Sequence, residues 1–526
     1  MKWCPMELAA LTECETLSHL KRRIKTTRQA PKCWYMRCLP CVKARYVLTV
    51  MLSLGICIAA ALRVNLSVAI VQMTAKNPHH SQRSFHWSNS EQGWILSSFF
   101  YGYILTQIPG GWLATKFGGK YVFGIGVLVT SLLTLITPQM AYLNLWALVA
   151  CRIAVGTVTG LLLPAMNAMF GKWAPPLERS MMATIGLSGT YAGNIVGFPL
   201  SGMLCNTMGW PWAFYLSGFV GIIWFVAWLI LVFNTPADHP RISPEERRYI
   251  ETSIDTELLL QNSTTSKEDL PPPWRAMFTS PAVLAVVIGH FTNNWGFYTL
   301  LICLPTFLNQ TLCLDIKRNG LYSAIPYTCL AVLSILWGQV TDMLRQRELV
   351  NTTVIRKFNS TLGLCLPAMF LLLCGFYGST TGWAVTFLTL SVGSAGFAAA
   401  GYHVNYLDIS PKYAGIVIGI SNTIATIPGL VAPQVAKVIA KEPSFKTCND
   451  SCEDPTSIDV YQQEWTLVFI IAAEIYVFGA IAYLLLASGE KQWWADGVQA
   501  TNKRDIQAPS SPMYLQPLSS TTDSDL

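Results

Sequence analysis

The chain has 526 residues, of which 52% are hydrophobic and only 12% charged, with a formal net charge of +7. Soluble domains carry about 25% charged residues, so the composition excludes an ordinary soluble enzyme and specifies a polytopic membrane protein. Of the 36 Lys and Arg, 27 fall in the two tails and alternate loops, seven on the opposite side, in its loops or at a span end there, and two, Arg63 and Arg152, within spans. That bias is a topology signal rather than a nucleic-acid footprint. It predicts an even number of spans with both ends cytosolic.

Residues 1–45 read as a cytosolic tail, polar and basic, with no short apolar core before a small-residue cleavage site. Cys33, Cys38 and Cys41 lie among its basic residues, where palmitoylated or plain thiols are both expected readings. The first apolar run, Tyr46 to Met73, is long enough to cross a bilayer. Arg63 sits within it, with Asn65 two residues on. An arginine at mid-membrane depth costs at least ~2.5–3.5 kcal/mol on insertion scales and normally faces a bundle interior or a cavity. Arg63 is too far from either end to snorkel easily, so it is expected to line a water-filled path that recognises a negative substrate.

Eleven further apolar runs follow, at about 93–115, 121–140, 145–170, 180–205, 212–233, 281–308, 320–342, 359–377, 382–407, 413–438 and 465–487. The expected fold is an all-α membrane protein of twelve spans, with six-helix halves at 46–233 and 281–487. The polar stretch 234–280 is a cytosolic linker, and 488–526 a disordered cytosolic tail. Within the linker, Ser243, Pro244 and Glu246 read as a capping box opening a surface helix. The halves echo each other: Gly111 to Lys120 after span two and Gly338 to Arg347 after span eight each follow a small residue with a basic turn. Paired halves related by a repeat are a transporter architecture with the substrate near mid-membrane.

Most of the fifteen cysteines lie in apolar runs, as Cys57, Cys151, Cys303, Cys329 and Cys374 do, where a thiol packs as a small hydrophobe. Cys448 and Cys452 share a polar loop on the non-cytosolic side, where an oxidised pair is expected to be possible. No spacing suggests zinc or a redox CxxC. No nucleophile elbow or phosphate-binding loop is present in the sequence, and an enzyme would not need two repeated halves.

Five stretches are more specific: ALRVNLSVAI (61–70), GWILSSFFYGYILTQIPGGWLATKFGGK (93–120), KWAPPLERS (172–180), HFTNNWGFYTLL (290–301) and NYLDISPKYAGIVIGISNTIATIPGLVAP (405–433). Together they resemble the anion:cation symporter family of the major facilitator superfamily, in particular its sialin-like members, over residues 44 to 490. The resemblance implies secondary-active, alternating-access export of small organic anions, of the monocarboxylate or acidic-sugar type, with no cofactor. It implies that Arg63 pairs with a substrate carboxylate, which a guanidinium fork suits, and that Tyr103 faces the same cavity. Arg152, opening span four, is expected near a membrane face as a gate, headgroup or substrate contact.

The departures are informative. Where the resemblance expects two acids a turn apart in span four, this chain has Val155 and Thr159, and the expected histidine beyond is Asn167. None of these titrates near neutral pH, so the family's proton relay is absent, and sodium or membrane potential is expected to matter more than a proton gradient. In span seven, Asn293 and Asn294 precede Trp295 in place of a second arginine, favouring a single carboxylate. His403 is new in span ten, a candidate to sense protons or contact substrate. Glu474 interrupts apolar span twelve, where an acid is a candidate coupling group. A sodium-coupled phosphate or organic-anion carrier is the second reading, with Asn293, Asn294, Asn422, Thr423 and Thr426 as oxygen donors. A transport-dead sensor on the same fold is the third.

Two signals bear on destination. Asp255-Thr-Glu-Leu-Leu259-Leu260 has acidic-dileucine spacing, whereas Glu13-Cys-Glu15-Thr-Leu17-Ser lacks the second aliphatic residue. Ser524-Asp525-Leu526 ends the chain in a pattern that PDZ domains capture by strand addition. The plasma membrane is expected slightly ahead of the lysosome.

Overall fold

The structure, a computed structural model, describes residues 43–75, 84–176, 178–264, 273–347, 349–411, 413–440 and 455–495. Leu526, Cys448 and Cys452 lie outside the described residues. All the elements named here belong to the unit that begins at Ala44. No strand occurs among the described residues.

Six rods come first: α1 (Ala44–Met73), α2 (Asn89–Phe117), α3 (Gly119–Leu143), the broken pair α4 (Leu145–Thr159) and α5 (Leu162–Trp173), α6 (Arg179–Thr207) and α7 (Trp210–Leu231). Two helices outside the apolar runs follow, α8 (Pro244–Thr264) and α9 (Trp274–Thr279). Six more rods complete the bundle: α10 (Pro281–Leu312), α11 (Ile316–Gln346), α12 (Thr352–Tyr377), α13 (Thr381–Ser394) continued by α14 (Tyr402–Ile409), α15 (Ala414–Ile439) and α16 (Pro455–Leu486). These match the twelve expected spans one for one. Among the described residues, nine rods are long and apolar enough to cross a membrane by length and composition. The other three, α2, α6 and α10, carry more polar residues, and the polar side chains of α2 have a visible purpose.

Those side chains form a ladder between α2 and α15. Asn89 donates to the Ala440 carbonyl at 2.6 Å, Lys437 to Gln92 at 2.8 Å and Gln434 to Ser97 at 3.0 Å. Deeper along the rod, Asn422 donates to Gln107 at 2.6 Å and Gln107 to Thr426 at 3.0 Å. With no hydrophobic force between helices in lipid, such bonds and close packing of small residues hold rods together. α6 supplies the packing: a Cβ at Gly189 or Gly193 would strike the α1 backbone, and Gly202 meets Gly320 of α11. Asn65 bolts the same region. It donates to Ser217 at 2.6 Å and accepts from Ser201 at 2.7 Å, joining α1, α6 and α7.

Two rods are interrupted at corresponding places. The fourth rod breaks at Gly160–Leu161, and the tenth passes through a 3₁₀ turn, Ala395–Ala400, before restarting at Tyr402. Backbone that leaves the α-helical ladder inside a bundle is tolerated where protein or a cavity surrounds it. Paired interruptions in the two sets of six point to a site between them.

The linker differs from its expected form in one instructive way. Ser243 does accept from the Glu246 N–H at 3.1 Å. The Glu246 carboxylate, however, leaves its own helix and caps α1, accepting from the N–H groups of Ala44 at 3.0 Å and Arg45 at 3.2 Å. Arg45 is itself buried and grips Glu178 with two bonds of 2.8 and 2.9 Å. A start of helix pointing into a protein interface needs such acceptors for its free N–H groups. Across the bundle Asp408 plays a similar part, held by Arg356 at 2.7 Å and Arg345 at 3.3 Å.

The chain beyond α16 also docks. Gln492 donates its backbone N–H to Ile409 at 2.9 Å, Gly489 donates to Thr353 at 2.9 Å, and Trp494 is buried among Met277, Val283, Val286 and Tyr413. The expected disordered tail is therefore ordered as far as Ala495. Cys313, at the turn from α10 to α11, is disulfide-bonded, while the other seven described cysteines are free.

Candidate anion site

The two interrupted rods bring the charged and titratable side chains inward. α4 runs hard against α2 because glycines alternate across the contact. A Cβ at Gly102 would overlap the Ile153 carbonyl, and one at Gly156 the Phe99 carbonyl. This proximity sets Phe99 and Tyr103 of α2 beside Arg152 of α4 and opposite Arg63 of α1.

The result is a small cavity of about 20 Å³ bounded by Arg63, Ser67, Leu96, Phe99, Phe100, Arg152 and Ile302, room for one water molecule. Arg63 is half-buried and Arg152 is 2% exposed. Their guanidinium carbons lie 6.0 and 5.7 Å from the centroid of the same Phe99 ring. Arg152 also donates to the backbone carbonyl of Arg63 at 3.4 Å. Arg63 Nε and Arg152 Nε and Nη1 are buried without an acceptor, and neither arginine takes part in a salt bridge among the described residues. Two like charges held this close, with donors unmet, destabilise the empty site and favour any anion that bridges them.

Phenols surround the pair. Tyr103 stacks on Phe99 at 5.6 Å and reaches Asn422. Tyr103, Tyr298 and Tyr327 all lie within electrostatic reach of Arg63. The Tyr327 hydroxyl is buried without a partner.

Two sequence expectations require correction here. Arg152 is no membrane-face residue: α4 starts at Leu145, so Arg152 stands two turns inside it and reaches the Arg63 cavity. The cavity consequently holds two arginines, and the inference of a single carboxylate from a single arginine loses its premise.

The remaining predicted residues fall elsewhere. Asn294 donates to the Ala425 carbonyl at 2.8 Å, and Asn293 is buried with its Oδ1 unpartnered. Asn422 and Thr426 are engaged with Gln107, and Thr423 bonds the Gly419 carbonyl at 2.9 Å. Val155 is buried, and Thr159 bonds the Val155 carbonyl at 2.7 Å and faces Thr130 at 3.3 Å. Asn167 is exposed on α5, and Glu474 is exposed on the outer side of α16, away from the cavity. Leu259 and Leu260 lie in helix α8. His403 does not line the arginine cavity but pairs with His290 of α10, their ring centroids 5.0 Å apart. Sequence reasoning passed over His290, Phe99 and the two helix breaks. The glycines at 156 and 160, and at 393, 396 and 401, are the signal that could have found the breaks.

Comparison with known proteins agrees with this architecture. The family model described as Major Facilitator Superfamily matches residues 52–433. The chain is 42% identical to human sialin over 477 residues, covering 86% of this chain and 91% of that protein. It is 40% identical to vesicular glutamate transporter 3 of Danio rerio, covering 88% and 76% respectively. Its fold is similar to that of a bacterial homologue of the human lysosomal transporter Spinster in an inward-facing, occupied conformation, with a TM-score of 0.65 at 14% identity over 84% of this chain and 97% of that one. A D-xylose–proton symporter gives a TM-score of 0.61 at 14% identity, covering 85% and 99%. The rods, the paired interruptions and these likenesses agree: the chain is a multi-pass membrane protein of the major facilitator superfamily and belongs to its anion:cation symporter family of secondary-active anion transporters.

Proposed function

We propose that this transporter carries small organic anions bearing a carboxylate, acidic sugars foremost, by alternating access between the halves 46–233 and 281–487, and that it catalyses no covalent reaction. The observation that supports this most is the pair of unpaired guanidiniums facing one cavity across Phe99. A carboxylate has two oxygens and can take a fork from each arginine, with Tyr103 as a further donor. The cavity is now small, so substrate entry requires the rods around it to part.

Sodium coupling is the second reading, since Asn294 and Asn422 bond through their Nδ2 groups and the buried Asn293 Oδ1 has no partner. We place both termini in the cytosol. The charge bias supports this, and so does the disulfide at Cys313, on the face that would then lie outside the reducing compartment. The plasma-membrane reading rests on the Leu526 terminus as a PDZ ligand; Leu259→Ala with Leu260→Ala, and Leu526→Ala, imaged beside lysosomal markers, separates it from a lysosomal or vesicular address.

The substrate class is tested in proteoliposomes by counterflow. Labelled sialic acid is exchanged against internal sialic acid, glucuronate, glutamate or phosphate. Exchange with the acidic sugars but not with phosphate fits the proposal, and exchange with phosphate alone contradicts it.

A further inference from the structure

The acids expected to carry a coupling proton in span four are Val155 and Thr159 here, yet the structure holds a titratable pair elsewhere. His290, in the third turn of α10 and 4% exposed, bonds Ser421 of α15 through Nδ1 at 2.9 Å. Its ring stands 5.0 Å from that of His403, which opens α14 directly after the 3₁₀ interruption and stacks on Tyr402 at 4.5 Å. His403 lies deep among the rods, yet part of its ring surface is uncovered by protein. Three rods therefore meet at two imidazoles, one of them with uncovered surface.

We propose that His290 and His403 form a single protonation site that fills when the anion binds, so that one proton moves with each anion. This rests on the carboxylate reading above. Histidine is the side chain whose ordinary pKa lies in the physiological range, and two imidazoles in contact oppose a second charge, so the pair holds one proton. The groups around it explain why the anion is needed. Tyr402 and Tyr406 share α14; Tyr191 of α6, Tyr298 of α10, and Tyr476 and Tyr483 of α16 surround Tyr402. α11 brings Ser334 to Tyr191, and α12 brings Arg356. The one carboxylate of this set, Asp408 on α14, is occupied by Arg356 and Arg345. Among the described residues named here, a proton on the pair thus has no free counter-charge. Tyr298 lies within electrostatic reach of both Arg63 and Tyr402 and links the arginine seat to the histidines, so an anion held there supplies what is missing. Binding of either then favours the other, reciprocally.

The test measures binding of tritiated sialic acid to the purified full-length protein in nanodiscs between about pH 7.5 and about pH 5.5, across the histidine range. Sialic acid stays ionised throughout, so any change belongs to the protein. One linked proton makes the affinity rise by up to about tenfold for each pH unit lowered. The wild type is expected to show that slope. H403N and H290N are each expected to flatten it to about twofold or less over the whole range, the signature of a lost proton. E474Q, on the outer side of α16, is expected to keep it. H403N alters the less tightly covered ring and carries the test if H290N fails to fold. Wild-type binding with no pH slope overturns the pair while leaving the carboxylate reading intact. A slope that survives H403N, or disappears in E474Q, puts the proton elsewhere and also overturns it. Absence of binding at every pH defeats the carboxylate reading and the pair together.

Discussion

Arg152 reaches across from α4 to donate to the backbone carbonyl of Arg63 at 3.4 Å, so two guanidiniums from different rods share one wall of one cavity. The contact orients Arg152 through its Nη2 and leaves Nε and Nη1 unmet. An arginine whose remaining donors have no acceptor is prepared for a ligand.

The first prediction follows from that unmet pair. Arg63→Ala and Arg152→Ala should each lower transport efficiency by about a hundredfold, since a charged hydrogen bond is worth about 1.5–3 kcal/mol. Arg63→Lys should lose less, because it keeps the charge and loses the fork. The double alanine variant should fall short of the product of the single effects, because both arginines act on one carboxylate. Counterflow rates on protein quantified by surface labelling check this.

A second prediction concerns the α2–α4 contact. Gly156→Val should prevent correct assembly, since its side chain would overlap the Phe99 carbonyl, and overpacking at a rigid backbone costs about 1–3 kcal/mol or more. Monodispersity on size-exclusion chromatography is the readout. Gly171→Ala, at a position with open space around it, should leave the elution profile unchanged.

The Arg45–Glu178–Glu246 cluster yields a pH prediction. Arg45, bonded to Glu178 at 2.8 and 2.9 Å, holds that carboxyl below its ordinary range, helped by Tyr46 and Tyr249. A carboxyl with a depressed folded-state pKa stabilises the protein above its unfolded value, and the contribution is lost as pH falls through the folded value. Glu178→Gln should therefore melt at a lower temperature than the wild type at neutral pH, with the difference closing as acid protonates Glu178. Thermal melts of the detergent-purified protein from neutral pH to below the carboxylate range follow this.

The docked strap after α16 gives a fourth. Trp494→Ala should destabilise the protein by about 3–5 kcal/mol, the range for emptying a buried aromatic site, because Trp494 is 1% exposed and tied in by Gln492 and Ile409. Deleting residues 488–526 should do the same, whereas deleting 497–526 should not. Melting temperatures of the three proteins decide it.

Much of the fold was readable because span-length apolar runs are a strong signal: every expected span has a rod, and Arg63 stood out as a charge inside one. What lay beyond reading was tertiary. Arg152 looked peripheral because the apolar run begins only seven residues before it, and only the glycine contacts at 102 and 156 reveal which neighbour it faces. Glu246 looked like half of a local capping box, and nothing in its own segment announces that it serves Ala44 and Arg45, some 200 residues earlier in the chain. His403 was visible alone, whereas its pairing with His290 depends on how α10 and α14 pack.

The central claim is that Arg63 and Arg152 jointly seat a carboxylate. Counterflow of labelled sialic acid into proteoliposomes, with wild type, Arg63→Ala and Arg152→Ala reconstituted at equal density, tests it most directly. Robust exchange by the wild type and loss of nearly all of it in both variants is the predicted result. Exchange at the wild-type rate in either variant would contradict the claim.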